Sequence, residues 1–184
     1  PRDDHRHRIE HLGNWMITPE RLARIRRLDV LPVPNVPFLH YIHESLMECM
    51  GEERLDGAFG VRTMLEAGIR LTSGSDGPGY WPADPLRDIS TAVSRKIWSG
   101  ATVGLEEAVS VEQALHMFTI NAAYNGFDER IKGTIEPGKI ADFAVLAKDP
   151  FSVEADKIKD IPVDMTIVDG KVAFIHEQAT DLQH

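Results

Sequence analysis

The feature that most constrains the fold of this chain is an alternation of short apolar strands with amphipathic helices, which stops at Gly133. Before that glycine, RIEH and IRLTSGSD each have the pattern of a strand that ends in polar residues, and TPERLARIRRL between them has the apolar spacing of a helix. After it, GTIEPGKIADFAVL and DMTIVDGKVAFI are β-rich runs around turns at PGK and DGK. We therefore predict parallel β/α units over residues 1–132, a separate β layer over residues 133–176 and a frayed tail at 177–184.

Local signals place the helices of the first part. Thr18 is a favourable N-cap residue, and the proline that follows it suits the first helical position. A helix is also expected from Leu55 to Ala67, where apolar residues recur near helical spacing. PLRDISTAVSRKI and SVEQALHMFTINAA predict two more, and Ser110 with Gln113 forms a capping box at the start of the second.

The proline-rich segment VLPVPNVPFL predicts an irregular stretch. Its three prolines permit one short strand, after which we expect a loop that continues through His40 and His43. These histidines are expected to be exposed polar residues, with a smaller chance of touching a substrate. Tyr80 and Trp81 are expected to pack within a later loop rather than to line a substrate site.

Composition excludes several classes of protein. With 42% hydrophobic and 27% charged residues, the 184-residue chain has the make-up of a globular protein, and it lacks the apolar run of roughly 18 residues that a membrane helix needs. A formal net charge of -9 disfavours nucleic acid as a partner. The lone Cys49 excludes an internal disulfide framework and suits a reducing cytoplasm.

Two residues at predicted strand ends are candidates for chemistry. His5, His7 and His11 alternate along HRHRIEH, a pattern that fits either a metal site or a solvated, histidine-rich terminus. Asp76 in SGSDGP has the setting of an ordinary turn residue. Because the carboxyl ends of parallel strands meet at one edge, however, this carboxylate could bind a divalent ion, orient a water molecule and accept its proton. Arg8 and Glu10 between the histidines are expected to form an ion pair or to support a neighbouring ligand rather than to act as catalysts.

Five segments, taken in order, resemble a known family. RHRIEH, SGSDGP with ADPLRDISTAVSR, SVEQALHMFTINAAY, GTIEPGKIADFAVLAKDPF and VDMTIVDGKVAF are similar to the C-terminal portion of the amidohydrolase superfamily, in its YtcJ-like branch. The resemblance extends from His5 to Phe174. It implies an α/β fold that is the C-terminal part of a metal-dependent hydrolase TIM barrel, together with part of a small β-sandwich built from both ends of a longer chain. It also implies one or two divalent ions, usually zinc.

The resemblance assigns roles to two residues. His11 corresponds to the metal ligand after the sixth barrel strand, and Asp76 to the metal ligand and general base after the eighth. The histidine pair of the first strand, the lysine of the fourth and the histidine of the fifth have no counterpart, and the HRH at His5 to His7 is too close to Asp76 in sequence to be that pair. A complete barrel needs roughly 250 residues, so about three β/α units are expected here.

These assignments imply an enzyme of which this chain is a fragment. The parent protein is expected to hydrolyse amide or cyclic amide C–N bonds of a small molecule through a metal-bound hydroxide, while the isolated chain binds metal poorly and is inactive. The alternative is a non-catalytic regulatory or binding protein, similar to exoenzyme regulators. The isolated chain is expected to self-associate through the open strand edge at RIEH or through the exposed apolar face, burying at least roughly 1,000 Å².

Overall fold

In the computed structural model, which describes residues 3–15, 17–55, 57–77 and 81–177, two short strands joined by a helix are followed by a run of helices up to Asn125 and then by three more strands. The strands are β1 Arg8–Glu10, β2 Leu31–Val33, β3 Phe143–Leu146, β4 Val163–Val168 and β5 Lys171–Ile175. The helices are α1 Pro19–Leu28, α2 Pro37–Met50, α3 Glu52–Leu55, α4 Val61–Glu66, α5 Pro85–Ser94, α6 Val111–Phe118 and α7 Ile120–Asn125, with short 3₁₀ helices at Leu105–Glu107 and Ala155–Asp160. Among these helices none is long and apolar enough to cross a membrane.

The first β/α unit forms as the sequence predicts. β1 and β2 pair in parallel, with Ile9 opposite Pro32, and α1 connects them. The Thr18 side chain accepts a hydrogen bond from the backbone N–H of Arg21, which satisfies one free donor of the first turn of α1. Ile25 is the buried residue of this helix. The unit therefore brings the carboxyl ends of two neighbouring strands to one edge.

The strand predicted in IRLTSGSD does not form, although the segment lies beside β2. The N–H of Thr72 donates to the carbonyl of Pro32 (3.4 Å), and the N–H of Gly74 donates to the carbonyl of Pro34 (3.0 Å). Two prolines on the partner segment supply carbonyl acceptors but no N–H donors. The strand is missing because the prolines can accept hydrogen bonds from this segment but cannot donate hydrogen bonds back to its carbonyl groups.

The loop predicted through His40 and His43 is wrong. Both histidines lie in α2, which begins at Pro37. Proline is tolerated at the first helical position because an N–H there would have no partner within the helix. Leu39 of the same helix is almost fully buried and holds it against a hydrophobic cluster. The histidines are part-buried rather than exposed, and burial lowers the pKa of both.

The helix predicted from Leu55 to Ala67 is divided. α3 ends at Leu55 and α4 begins at Val61, and between them Phe59 takes a left-handed backbone conformation with φ of 54°. The Phe59 ring is completely buried. Burial of this side chain in the core offsets the cost of the unfavourable backbone conformation, which a sequence pattern alone does not reveal.

The second helical region is capped as expected. Ser110 accepts a hydrogen bond from the N–H of Gln113, and the Gln113 side chain accepts one from the N–H of Ser110. The predicted single helix breaks at Thr119, whose hydroxyl donates to the carbonyl of Leu115. Ala114 and Met117 are fully buried in the main core cluster.

The residues after Gly133 form an antiparallel sheet in the order β3-β4-β5. As predicted, Asp169 and Gly170 occupy the turn between β4 and β5, both with positive φ. The GTIEPGK run is not a strand, and Ile135 in it is 84% exposed. From the segment that joins β3 to β4, the carbonyl of Ala155 accepts a hydrogen bond from the Ser90 hydroxyl of α5 (2.8 Å). From residue 178 onward, the predicted tail lies outside the described residues.

A buried carboxyl group in α5 predicts an unusual pH dependence of stability. Asp88 is 2% exposed, and burial raises its pKa to about 7; the charge of Asp84 acts in the same direction and that of Arg87 opposes it. Because the pKa is higher in the folded than in the unfolded state, the folded protein binds the proton more tightly. The free energy of unfolding should therefore fall as the pH rises from 3.8 to about 7.

We expect Asp88→Asn to raise the free energy of unfolding by about 2 kcal/mol at pH 8, where the wild-type carboxylate is charged, and by clearly less at pH 5. Urea denaturation at both values measures the difference. Asp169→Asn, in an exposed turn, is the control and should show no such pH dependence. An equal gain at both pH values for Asp88→Asn would contradict the interpretation.

Candidate active site

His11 and Asp76 lie together at the edge where the strand ends meet. His11 directly follows β1, and its N–H donates to the carbonyl of Val33 in β2 (2.9 Å). Asp76 ends the segment attached to β2, two residues after Gly74. The His11 Nε2 and Asp76 Oδ2 atoms are 4.0 Å apart, and the side chains are 48% and 53% exposed. Both residues have positive φ, 65° and 54°, so a tight turn directs each side chain.

A pair of buried asparagines holds these turns in place. Asn14 and Asn35 are 2% and 3% exposed. The N–H of Asn35 donates to Asn14 Oδ1 (2.7 Å), and Asn14 Nδ2 donates to Asn35 Oδ1 (3.3 Å). Asn35 Nδ2 then donates to the carbonyl of Gly74 (3.1 Å), near Asp76. The network connects the turn after β1, the end of β2 and the segment that carries Asp76, and buried amides satisfied in this way make such an arrangement rigid.

The same network determines the proton position on His11. Asn14 Nδ2 lies 3.3 Å from His11 Nδ1, and its amide orientation is set by the bond from Asn35 N–H to Asn14 Oδ1. An amide nitrogen can only donate, so His11 Nδ1 accepts and the neutral ring carries its proton on Nε2. Metal ligation through Nε2 requires the other tautomer, so it would replace the Asn14–His11 hydrogen bond.

The pair fits two positions of a divalent metal site after a small adjustment. Imidazole nitrogen and carboxylate oxygen bind zinc at roughly 2.0–2.2 Å, which places two donors of a tetrahedral site about 3.4 Å apart. The observed separation of 4.0 Å is longer than that value. A modest rotation of either exposed side chain would close the difference. Within the described residues, no group of three or more histidine, cysteine, aspartate or glutamate side chains is arranged to hold a metal ion.

The histidines before β1 take no part in this pair. The His5 and His7 rings stack with their centroids 4.7 Å apart, and the N–H of His7 donates to His5 Nδ1. Arg8 and Glu10 form the expected ion pair, with 2.9 Å between Arg8 Nε and Glu10 Oε1.

Trp81 lies closer to the candidate site than the sequence indicated. Its indole N–H donates to the carbonyl of Ser75 (2.9 Å), the residue before Asp76. The ring also contacts Phe38 and Tyr41 of α2. The expected packing role is thus present, with the addition that the ring is fixed to the turn that carries Asp76. Tyr80 lies outside the described residues.

Comparison with known proteins connects this geometry to a family. Residues 1–174 match the Amidohydrolase family. The chain belongs to this family. It is 29% identical over 184 residues to the amidohydrolase YtcJ of Bacillus subtilis, covering 95% of this chain and 33% of the relative. It is 38% identical over 118 residues to the N-substituted formamide deformylase of Arthrobacter pascens, covering 63% of this chain and 21% of the relative.

Solved structures agree with the assignment. A metal-dependent hydrolase from Pyrococcus furiosus superposes with a TM-score of 0.62 at 30% sequence identity, covering 79% of this amidohydrolase chain and 29% of the other. The chain spans a third or less of the length of these relatives. Its mixed α/β structure therefore corresponds to part of the amidohydrolase fold.

The sequence predicted His11 and Asp76 as site residues but gave no indication of the side chains that hold their turns in place. Asn14 and Asn35 each follow a Gly or Pro, so both had the pattern of ordinary turn residues. Their burial and pairing depend on a contact between residues that are 21 positions apart. Their places directly beyond β1 and β2 were the available signal, since polar residues at the carboxyl ends of barrel strands are candidates for a site.

Proposed function

We propose that this chain contributes His11 and Asp76 to the active site of a metal-dependent hydrolase that cleaves C–N bonds in small amides or cyclic amides. The observation that carries the proposal is the 4.0 Å separation of His11 Nε2 and Asp76 Oδ2 in a chain of the amidohydrolase family. The relative that is a deformylase of N-substituted formamides supports this bond class. The matching Pyrococcus hydrolase supports metal dependence.

The proposed chemistry divides between the metal and the two side chains. A bound divalent ion, for which zinc is our proposal, lowers the pKa of water and polarises a carbonyl group. His11 Nε2 and one Asp76 oxygen each offer a donor atom to that ion. The second Asp76 oxygen can accept the proton of the attacking water and return it to the leaving nitrogen. Since about half of the Asp76 side chain is exposed, a substrate can reach it.

Further ligands are proposed to come from outside this chain. Two protein donors leave most of the coordination sphere to water, so the chain by itself should bind metal weakly and be inactive. Residues 1–132 are proposed to form the last β/α units of a TIM barrel. Residues 133–176 are proposed to belong to a composite β-sandwich, a role that the antiparallel sheet of β3, β4 and β5 supports.

Two accessory properties follow from the same proposal. In the described part of the chain β1 pairs with β2 alone, and its Ile9 is 49% exposed. We propose that the isolated chain self-associates through this edge. A cytoplasmic location is proposed because Cys49 is a single, exposed and unpaired cysteine, which suits a reducing compartment.

Metal removal from the full-length protein tests the function. We expect incubation with a chelator followed by gel filtration to abolish hydrolysis of N-substituted amides, and stoichiometric zinc or another divalent ion to restore it. Parallel measurement of far-UV circular dichroism controls for unfolding. Undiminished hydrolysis by metal-free protein would refute the metal-dependent mechanism, and a protein that binds metal but cleaves no amide would favour the regulatory alternative.

A further inference from the structure

Three aromatic side chains form a continuous row beside the candidate site. We call Phe38, Tyr41 and Trp81 the aromatic row. The Phe38 and Trp81 rings meet edge to face, with centroids 5.2 Å apart and planes inclined at 84°. The Trp81 and Tyr41 rings are stacked at 5.2 Å with planes inclined at only 9°. Both arrangements are favourable for aromatic pairs and hold the rings in defined orientations.

The row begins at the proposed metal ligands. The Phe38 ring lies 5.7 Å from the His11 ring, centroid to centroid. At the same end, the indole N–H of Trp81 donates to the carbonyl of Ser75, which precedes Asp76. Phe38 therefore contacts His11, and Trp81 contacts the residue that precedes Asp76. A movement of the aromatic row relative to His11 and Asp76 would break one of these contacts.

The three rings of the aromatic row are less buried than the core residue Phe59. Phe59 is fully buried, whereas Phe38, Tyr41 and Trp81 are each part-exposed. Partial burial also raises the pKa of the Tyr41 hydroxyl, so this ring stays neutral at physiological pH. The row thus presents rigid, uncharged and partly accessible aromatic surface next to a polar pair, the composition expected of a small-molecule site.

We propose that the aromatic row is the wall of a substrate subsite that binds a flat, apolar substituent, aryl or arylalkyl, next to the scissile C–N bond. The inference rests on the proposed function and specifies its substrate class. The 5.7 Å spacing between the His11 and Phe38 rings places the wall beside an amide held at the ligand pair. Stacking against Trp81 and edge contact with Phe38 favour a ring over an alkyl chain of similar size.

Paired substrates and matched variants of the full-length protein test the subsite. For N-benzyl and N-butyl amides with the same acyl group, we expect wild-type kcat/KM to favour the benzyl compound by roughly tenfold. Trp81→Leu and Phe38→Leu should each reduce that preference, measured as the ratio of kcat/KM for the two compounds, to about threefold or less. Trp98→Leu is the control and should keep the preference for the benzyl compound. Trp98 is 69% exposed and lies beyond Tyr41, with their ring centroids 6.3 Å apart.

A binding measurement separates the subsite from the catalytic proposal. Calorimetry with benzylamine and butylamine on the inactive Asp76→Asn protein should show the same aromatic preference, and its loss in the Trp81→Leu, Asp76→Asn double variant. A preference for benzyl compounds that persists in both Trp81→Leu and Phe38→Leu would overturn the subsite, as would its absence in the wild type. If Asp76→Asn stays active while the aromatic preference depends on Trp81, the proposed catalytic role fails and the subsite stands.

Discussion

In the full-length enzyme, Asp76→Asn is expected to lower kcat/KM for amide hydrolysis by at least about 10³-fold. On the proposed mechanism, the change removes a negative charge that would bind the metal and an oxygen that would accept the proton of the attacking water, and these are separate contributions to the rate. Asparagine has nearly the same shape as aspartate and tolerates the left-handed backbone conformation found here, with φ of 54°. The loss can therefore be attributed to chemistry rather than to misfolding.

Asp29→Asn is the matched control for this variant. Asp29 is also exposed and also left-handed, with φ of 47°, but it caps the carboxyl end of α1. Steady-state kinetics should show unchanged kcat/KM for this control, and both variants should have melting temperatures close to that of the wild type. An Asp76→Asn enzyme that keeps more than a tenth of the wild-type activity would exclude Asp76 as general base.

The largest expected effect on stability is at Arg95, a buried cation at the end of α5. Arg95 is 2% exposed, and its guanidinium donates to the carbonyls of Val103 (3.1 Å), Phe59 (3.1 Å) and Ala58 (3.4 Å). Burial lowers its pKa to about 10, while the nearby carboxylate of Glu107 acts in the opposite direction. The side chain thus satisfies the carbonyl groups of two separate loops and joins them to α5.

We expect Arg95→Met to lower the free energy of unfolding by about 3 kcal/mol. Methionine fills much of the same volume but removes three hydrogen bonds, at about 1 kcal/mol each. The Phe59 carbonyl keeps the N–H of Val61 as a donor, whereas those of Val103 and Ala58 lose the Arg95 donor. Urea denaturation measures the loss. Arg62→Met is the control, because Arg62 is exposed and its surface ion pair with Glu66 is worth less than about 0.5 kcal/mol. Equal losses in the two variants would show that the carbonyl contacts of Arg95 contribute little.

Local chemistry accounts for the parts of the fold that could be predicted from the sequence. The N-cap at Thr18, the capping box of Ser110 and Gln113, and the turn at Asp169 and Gly170 depend on neighbouring residues alone, and each is present in the structure. The position of His11 at a strand end was predicted for a related reason. It directly follows a strand, and a parallel arrangement brings strand ends to one edge.

Tertiary contacts account for what the sequence patterns missed. The segment around His40 had the proline spacing of a loop, but burial of Leu39 favours a helix that begins at Pro37. The aromatic row joins α2 to a loop some 40 positions later in the chain, a pairing without a local signal. The strand expected in IRLTSGSD failed because prolines on the neighbouring segment lack donors, which becomes apparent only when the partner is known.

The most direct test of the central claim is the location of the metal in the full-length protein, determined by anomalous diffraction at the absorption edge of the bound ion. We predict a peak roughly 2.0–2.2 Å from a carboxylate oxygen of Asp76 and from Nε2 of His11, with the remaining ligands supplied by residues outside this chain. A fully occupied metal site with both of these side chains outside coordination distance would contradict the account.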